Sequence, residues 1–248
     1  MFLGTLYHEI IYRPLLNLLI FFYNIIPGHD IGIVIVLLTI LIRLLLAPSF
    51  HKSLKNQKAL NDLQPKLNNL REKHKDNKET QAKAMMDLYK EHNINPLSSC
   101  LPMLIQLPVL IALYQTFRIA LGNHDITGLY SFVAKPSYIS PYFIHLVDLS
   151  KTAYMNGHWY VPALILGLLA GAVQYWQSRM MLPKVANTDP TARAMAMQTT
   201  YVLPLFSVFI SLRLPAGLPL YWVVTTLFAV AQQYYIISKA TPKLAENN

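Results

Sequence analysis

The sequence predicts an all-α membrane protein: five transmembrane helices, a helical hairpin on the cytoplasmic side and an amphipathic helix at the opposite interface. Three observations carry this. First, apolar residues make up 54% of the 248 and charged residues only 13%, and the apolar residues fall in long blocks, too apolar for an ordinary soluble domain. Second, a bilayer core about 30 Å thick needs roughly 20 helical residues, and five blocks reach or approach that length, at 31–50, 97–120, 160–181, 199–214 and 218–238. Third, the net charge of +9 is concentrated: ten of the 21 Lys and Arg lie between His51 and Asn95, a water-facing basic insert.

Each segment has its own justification. Residues 1–27 lack a basic leader and a small-residue cleavage site. Their polar residues Glu9, Arg13, Asn17 and Asn24 recur at helical spacing, so an extracytoplasmic interfacial amphipathic helix is expected, with a sixth span as the competing reading. Residues 28–50 form the first span. Residues 51–95 read as a cytoplasmic helical hairpin: Leu60, Leu63, Leu67 and Leu70 make one apolar stripe, Ala82, Met85, Met86 and Tyr89 another, and "KHKDNK" is the turn. Pro65 predicts a kink or restart near Gln64. Residues 96–121 are the second span, 122–159 an aromatic-rich extracytoplasmic loop, 160–181 the third span and 182–198 a cytoplasmic loop. Residues 199–214 and 218–238 are the last two spans, joined by "RLPAG", and 239–248 form a cytoplasmic tail. With 51–95, the stretch 179–198 and the tail from Lys239 facing the cytoplasm, the inner side holds 15 of the 21 basic residues, which places the N-terminus outside and the C-terminus inside. Cys100, the single cysteine, reads as a small packing residue.

Arg43 is the candidate site. It lies twelve residues after Ile31 in "LLTILIRLLLAPSF", about 18 Å along its helix. An arginine at helix centre costs about 2.5–3.5 kcal/mol on insertion scales. Either it faces a polar cavity, with Thr39 one turn away on the same face, or it snorkels to the nearby interface. The proposed spans contain no carboxylate to neutralise it. They offer Gln106, Gln115, Gln174, Gln177, Gln232 and Gln233, as cavity lining or as interhelical hydrogen-bond donors. The cavity so drawn is cationic and open to the cytoplasm.

Residues 43–114, above all "INPLSSCLPMLIQLPVLIALY", resemble the first span, hairpin and second span of the YidC/Oxa-type membrane protein insertases. "TDP" at 188–190 and "LPLFSVFISLRLPAGLPLYWVVTTLFAVAQQ" at 203–233 resemble later parts of the same family, in its compact bacterial form without a large periplasmic domain. The resemblance implies five core helices around a hydrophilic groove, open to cytoplasm and lipid and closed to the outside. It assigns the groove arginine to Arg43, the threonine one turn before it to Thr39, and a substrate-facing aromatic pair to Tyr221 and Trp222; Gln106 and Gln174 join the substrate-binding groove as neutral polar residues of the other spans. Trp222 stands where some relatives carry a second tyrosine, so its contact is apolar.

The function implied is that of an insertase and chaperone in the bacterial inner (plasma) membrane. It receives nascent membrane proteins and passes their hydrophobic segments into the lipid bilayer. No phosphate loop of the G-x-x-x-x-G-K-[ST] type is present, which fits insertion without nucleotide hydrolysis. No metal, cofactor or enzymatic chemistry is expected, since the eight His show no metal-ligand spacing. The basic hairpin is a candidate contact for ribosomal RNA, anionic lipid or a targeting receptor. Ribosome, signal recognition components and the Sec translocon are the candidate partners; DNA is not. An anion transporter using Arg43 and a ribosome tether without insertion activity are the rival readings.

Overall fold

Two prolines explain how the chain departs from ideal α-helix at two places. Proline has no N–H to donate and its ring crowds the carbonyl four residues back, so the turn before it opens. The N-terminal helix starts as α1 (Phe2–Tyr7), widens into a π-helical turn (His8–Tyr12) and continues as α2 (Arg13–Ile25), with Pro14 in its first turn. The same device recurs before Pro204, where a π-helical turn (Gln198–Val202) leads into a later helix, Leu203–Ser211. The computed structural model describes residues 2–95, 101–122, 125–180, 194 and 196–239. Cys100, the "TDP" stretch, most of the 182–198 loop and the tail beyond Lys239 lie outside the described residues.

After α2 come α3 (Ile31–Asp62), α4 (Gln64–Lys73), α5 (Lys78–Glu91) and α6 (Leu101–Leu121). Two small antiparallel hairpins follow, β1 (Tyr142–Phe143) with β2 (Val147–Asp148) and β3 (Tyr154–Met155) with β4 (His158–Trp159). They qualify the all-α expectation. The chain ends in α7 (Val161–Met180), α8 (Leu203–Ser211) and α9 (Gly217–Lys239). Among the described residues, Ile31–Asp62 and Leu104–Leu121 are long and apolar enough to cross a membrane. The later helices are shorter or carry glutamines and aromatics at one end, which lowers their mean hydropathy.

The chain divides into two compact units. The first comprises residues 1–45, 103–174 and 204–228. Its core includes Leu16, Ile20, Ile35, Leu113, Phe117 and Tyr221, all almost wholly buried. Three of the four residues of the N-terminal polar stripe bond to a loop, while Glu9 stays exposed and pairs with Arg13. Asn17 Nδ2 donates to the Gly128 carbonyl at 3.2 Å, and its Oδ1 accepts the Tyr130 N–H at 2.6 Å. Arg13 Nε also reaches the Gly128 carbonyl, at 3.0 Å, and Asn24 Nδ2 the Ala134 carbonyl, at 2.7 Å. An irregular loop has backbone groups that no ladder satisfies, and this stripe satisfies them. Asn17→Ala is expected to cost about 1 kcal/mol, because the Tyr130 N–H loses its acceptor while the Gly128 carbonyl keeps Arg13; faster amide exchange at Tyr130 is the readout.

Close helix packing in this unit depends on Gly171 of α7. A Cβ there would collide with the Val208 side chain and lie 3.2 Å from the Pro204 carbonyl. Gly171→Ala is therefore expected to destabilise the fold by roughly 1–3 kcal/mol, seen as a lower thermal midpoint in detergent. The turn between α8 and α9 is tied to the hairpin region, where Ala216 N–H donates to the Lys151 carbonyl at 2.9 Å and Gly217 N–H to that of Leu149 at 3.1 Å.

The second unit comprises residues 46–102, 175–203 and 229–248. Its hairpin begins within α3, which runs on past Pro48 to Asp62 before the helix breaks at Leu63 and restarts with Pro65 in the first turn of α4. Asn77 caps α5, its side chain accepting from the amides of Glu79 (3.1 Å) and Thr80 (3.0 Å). Leu63 and Leu67 are buried as expected, but Ala82 and Met86 are exposed. The inward face of α5 passes instead through Gln81, Met85, Leu88 and Tyr89, about a fifth of a turn away. Gln81 decides this, its Nε2 donating to the Arg71 carbonyl at 2.8 Å. Burial raises the Tyr89 hydroxyl pKa above its ordinary value, with Arg71 opposing the shift.

Candidate functional site

The apolar run of α3 carries Arg43 into the first unit, where the side chain is only 7% exposed. It turns sideways onto α9 and does not run along its own helix. Arg43 Nε donates to Thr225 Oγ1 at 2.5 Å and Nη2 to the Thr225 backbone carbonyl at 2.8 Å. Both acceptors belong to one residue, so the planar guanidinium is held in a fork that a point charge could not match. Charge-assisted hydrogen bonds of this kind contribute about 1.5–3 kcal/mol each, which offsets the cost of a cation in an apolar span.

One turn before Thr225 on the same helix stands Tyr221, 1% exposed. Its hydroxyl accepts a hydrogen bond from Gln106 Nε2 of α6. Three helices therefore meet in one polar chain, running from Gln106 through Tyr221 and Thr225 to Arg43. Trp222, the next residue on α9, is half-buried. The helix turns it about 100° away from Tyr221, so the aromatic pair does not share a face.

The other expected site residues are placed differently. Thr39 is buried, but its Oγ1 donates to the Ile35 carbonyl of its own helix at 2.6 Å. That is the local bond a threonine makes in a helix interior; it uses the hydroxyl's one proton and leaves the oxygen its role as an acceptor. Gln174 is half-buried on α7. Gln115 accepts from the Tyr7 hydroxyl at 3.0 Å, which ties α1 to α6. Gln232 and Gln233 belong to the second unit, where the Oε1 of each is buried without a hydrogen-bond partner among the described residues. Thr225 was the residue missed. Its signal was the Thr-Thr pair in an apolar span, at helical spacing from Tyr221.

An arginine enclosed by neutral acceptors among long apolar helices defines the class, an α-helical membrane protein with a buried polar site. A family model described as "60Kd inner membrane protein" matches residues 21–243. A relative in Geotalea uraniireducens named "Membrane protein insertase YidC" is 35% identical over 93% of this chain and 38% of its own length. One of the same name in Geotalea daltonii is 34% identical over 93% and 37%. In Fusobacterium nucleatum a relative of that name is 34% identical over 92% of this chain and 98% of its own length. The chain thus spans just over a third of the Geotalea relatives. It belongs to the 60Kd inner membrane protein family, the YidC/Oxa family of the bacterial inner membrane.

Proposed function

We propose that this chain is a membrane protein insertase and chaperone, which takes nascent membrane proteins from the cytoplasmic side and passes their hydrophobic segments into the lipid bilayer. The observation that carries the reading is Arg43, a permanent cation held by Thr225 inside an apolar helix, in a family whose relatives bear the insertase name. A structural role alone does not account for it, because those bonds do little more than offset the insertion cost of a cation, a cost that a leucine would not incur.

In this reading five spans surround a hydrophilic groove, with the N-terminus outside and the C-terminus inside. The groove is lined by Arg43, Gln106, Gln174 and Tyr221, with Thr39 behind Arg43 and Trp222 as the apolar contact. A client's short polar tail enters the groove and exchanges for the neutral Gln106–Tyr221 hydrogen bond. Arg43 lowers the electrostatic cost of the tail's passage. Burial of the hydrophobic segment in lipid, about 25 cal/mol per Å², supplies the driving force. For an acidic tail the membrane potential adds roughly 2.3 kcal/mol per charge per 100 mV. No covalent step or nucleotide is involved. The basic α4–α5 hairpin is the surface for ribosome, signal recognition components or anionic lipid, and a Sec translocon is a candidate neighbour.

The test is protease protection of a short single-span client synthesised with liposomes that contain only the purified protein. Protection well above empty liposomes supports autonomous insertion. Protection equal to that control, with the protein folded, overturns it.

A further inference from the structure

We infer that the β1–β2 hairpin is a lipid anchor, its tip formed by Ile144 and Leu146 dipping into the membrane interface at the N-terminal end of α3. This goes beyond the insertase reading and rests only on the membrane class of the chain.

The turn runs from Phe143 to Leu146, closed by Leu146 N–H donating to the Phe143 carbonyl at 3.0 Å. Both central residues have positive φ, Ile144 at 46° and His145 at 61°. Such turns ordinarily take Asn, Asp or Gly, and a β-branched residue in the left-handed region is strained. The second hairpin follows the rule, with Asn156 (φ 53°) and Gly157 (φ 82°). Ile144 does not repay the strain by packing, since it is 50% exposed, and Leu146 is 72% exposed. Strain at an exposed apolar residue points to a surface that exists only in the protein's working environment.

Two contacts fix the height of the tip. Ile144 N–H donates to Asp30 Oδ2 at 2.5 Å, and a Cβ on Gly32 would collide with the Phe143 ring. The tip therefore lies within one turn of Ile31, the first residue of the apolar helix α3. The surface chemistry selects lipid over a protein partner. In residues 138–160 the sole carboxylate, Asp148, is buried and bonded to Ser150, while Tyr138, Tyr142, Tyr154, Met155 and Trp159 are exposed. Exposed aromatics and aliphatics without exposed carboxylates are the composition of an interfacial belt.

The experiment places an environment-sensitive fluorophore on single cysteines, Ile144→Cys, Leu146→Cys and the water control Asp76→Cys, each in a Cys100→Ser background of the full chain in liposomes. Nitroxide placed shallowly in the lipid is expected to quench the labels at 144 and 146 about twofold more than the label at 76, and iodide to quench them less. Iodide quenching equal to that at 76 would overturn the anchor. So would labels reached by neither quencher, which would assign the tip to a second copy or to the protein interior. Ile144→Asn, whose side chain suits the left-handed turn, is expected to leave the thermal midpoint undiminished and to reduce lipid quenching at Leu146→Cys. A lowered midpoint would make Ile144 a packing residue and end the proposal.

Discussion

Arg43→Leu is expected to abolish client insertion while leaving the stability of the fold nearly unchanged. The substitution removes a cation whose presence in the span costs about 2.5–3.5 kcal/mol. It also removes two hydrogen bonds to Thr225, but that hydroxyl can donate to the carbonyl four residues back on α9, as Thr39 does to Ile35. The two effects nearly cancel in stability and both count against activity. Arg43→Lys keeps the charge without the planar fork, so activity between wild type and the leucine variant is expected. Protease protection of a client and thermal denaturation in detergent would be measured on the same preparations. If insertion falls only in step with the midpoint, Arg43 is a structural residue and the groove reading is lost.

Thr225→Val tests the other half of the pair. Valine has nearly the same shape, so packing is kept, and the hydrogen bond to Arg43 Nε is lost while the backbone carbonyl still receives Nη2. Loss of one charge-assisted bond in a buried site is expected to cost about 1.5–3 kcal/mol. Thr225→Ser should restore most of that. Insertion should fall less than in Arg43→Leu, because the cation remains and only its orientation is relaxed. A valine variant that matches wild type in both midpoint and insertion would mean that Thr225 does not position Arg43.

The helical membrane class, the position of Arg43 and the helix break beside Pro65 were legible in the sequence because each rests on local chemistry. Long apolar blocks must be helical where no water can satisfy the backbone, and a lone arginine in such a block is conspicuous. Proline acts on its own turn and needs no distant partner. The Asn156-Gly157 pair carries an equally local hairpin signal that the expectation of a loop over 122–159 did not use, whereas Ile144 and His145 carry none. The stripe Glu9, Arg13, Asn17 and Asn24 could be read as one helical face, but what that face meets could not.

What only the tertiary structure decided is the pairing of groups far apart in the chain. Thr225 lies 182 residues from the arginine it holds, and Gln106 lies 115 from Tyr221. Asn17 bonds a loop more than 100 residues away. Periodicity reports which face of a helix is polar and is silent on which neighbour occupies it. That choice is made by helix packing, where Gly171 lets α8 approach α7 and Gly32 admits Phe143. The sequence by itself determined that a cation lies buried among apolar helices, since composition and spacing are properties of the chain alone. Its partner was settled by the fold, because hydrogen bonds form between atoms brought within about 3 Å by packing.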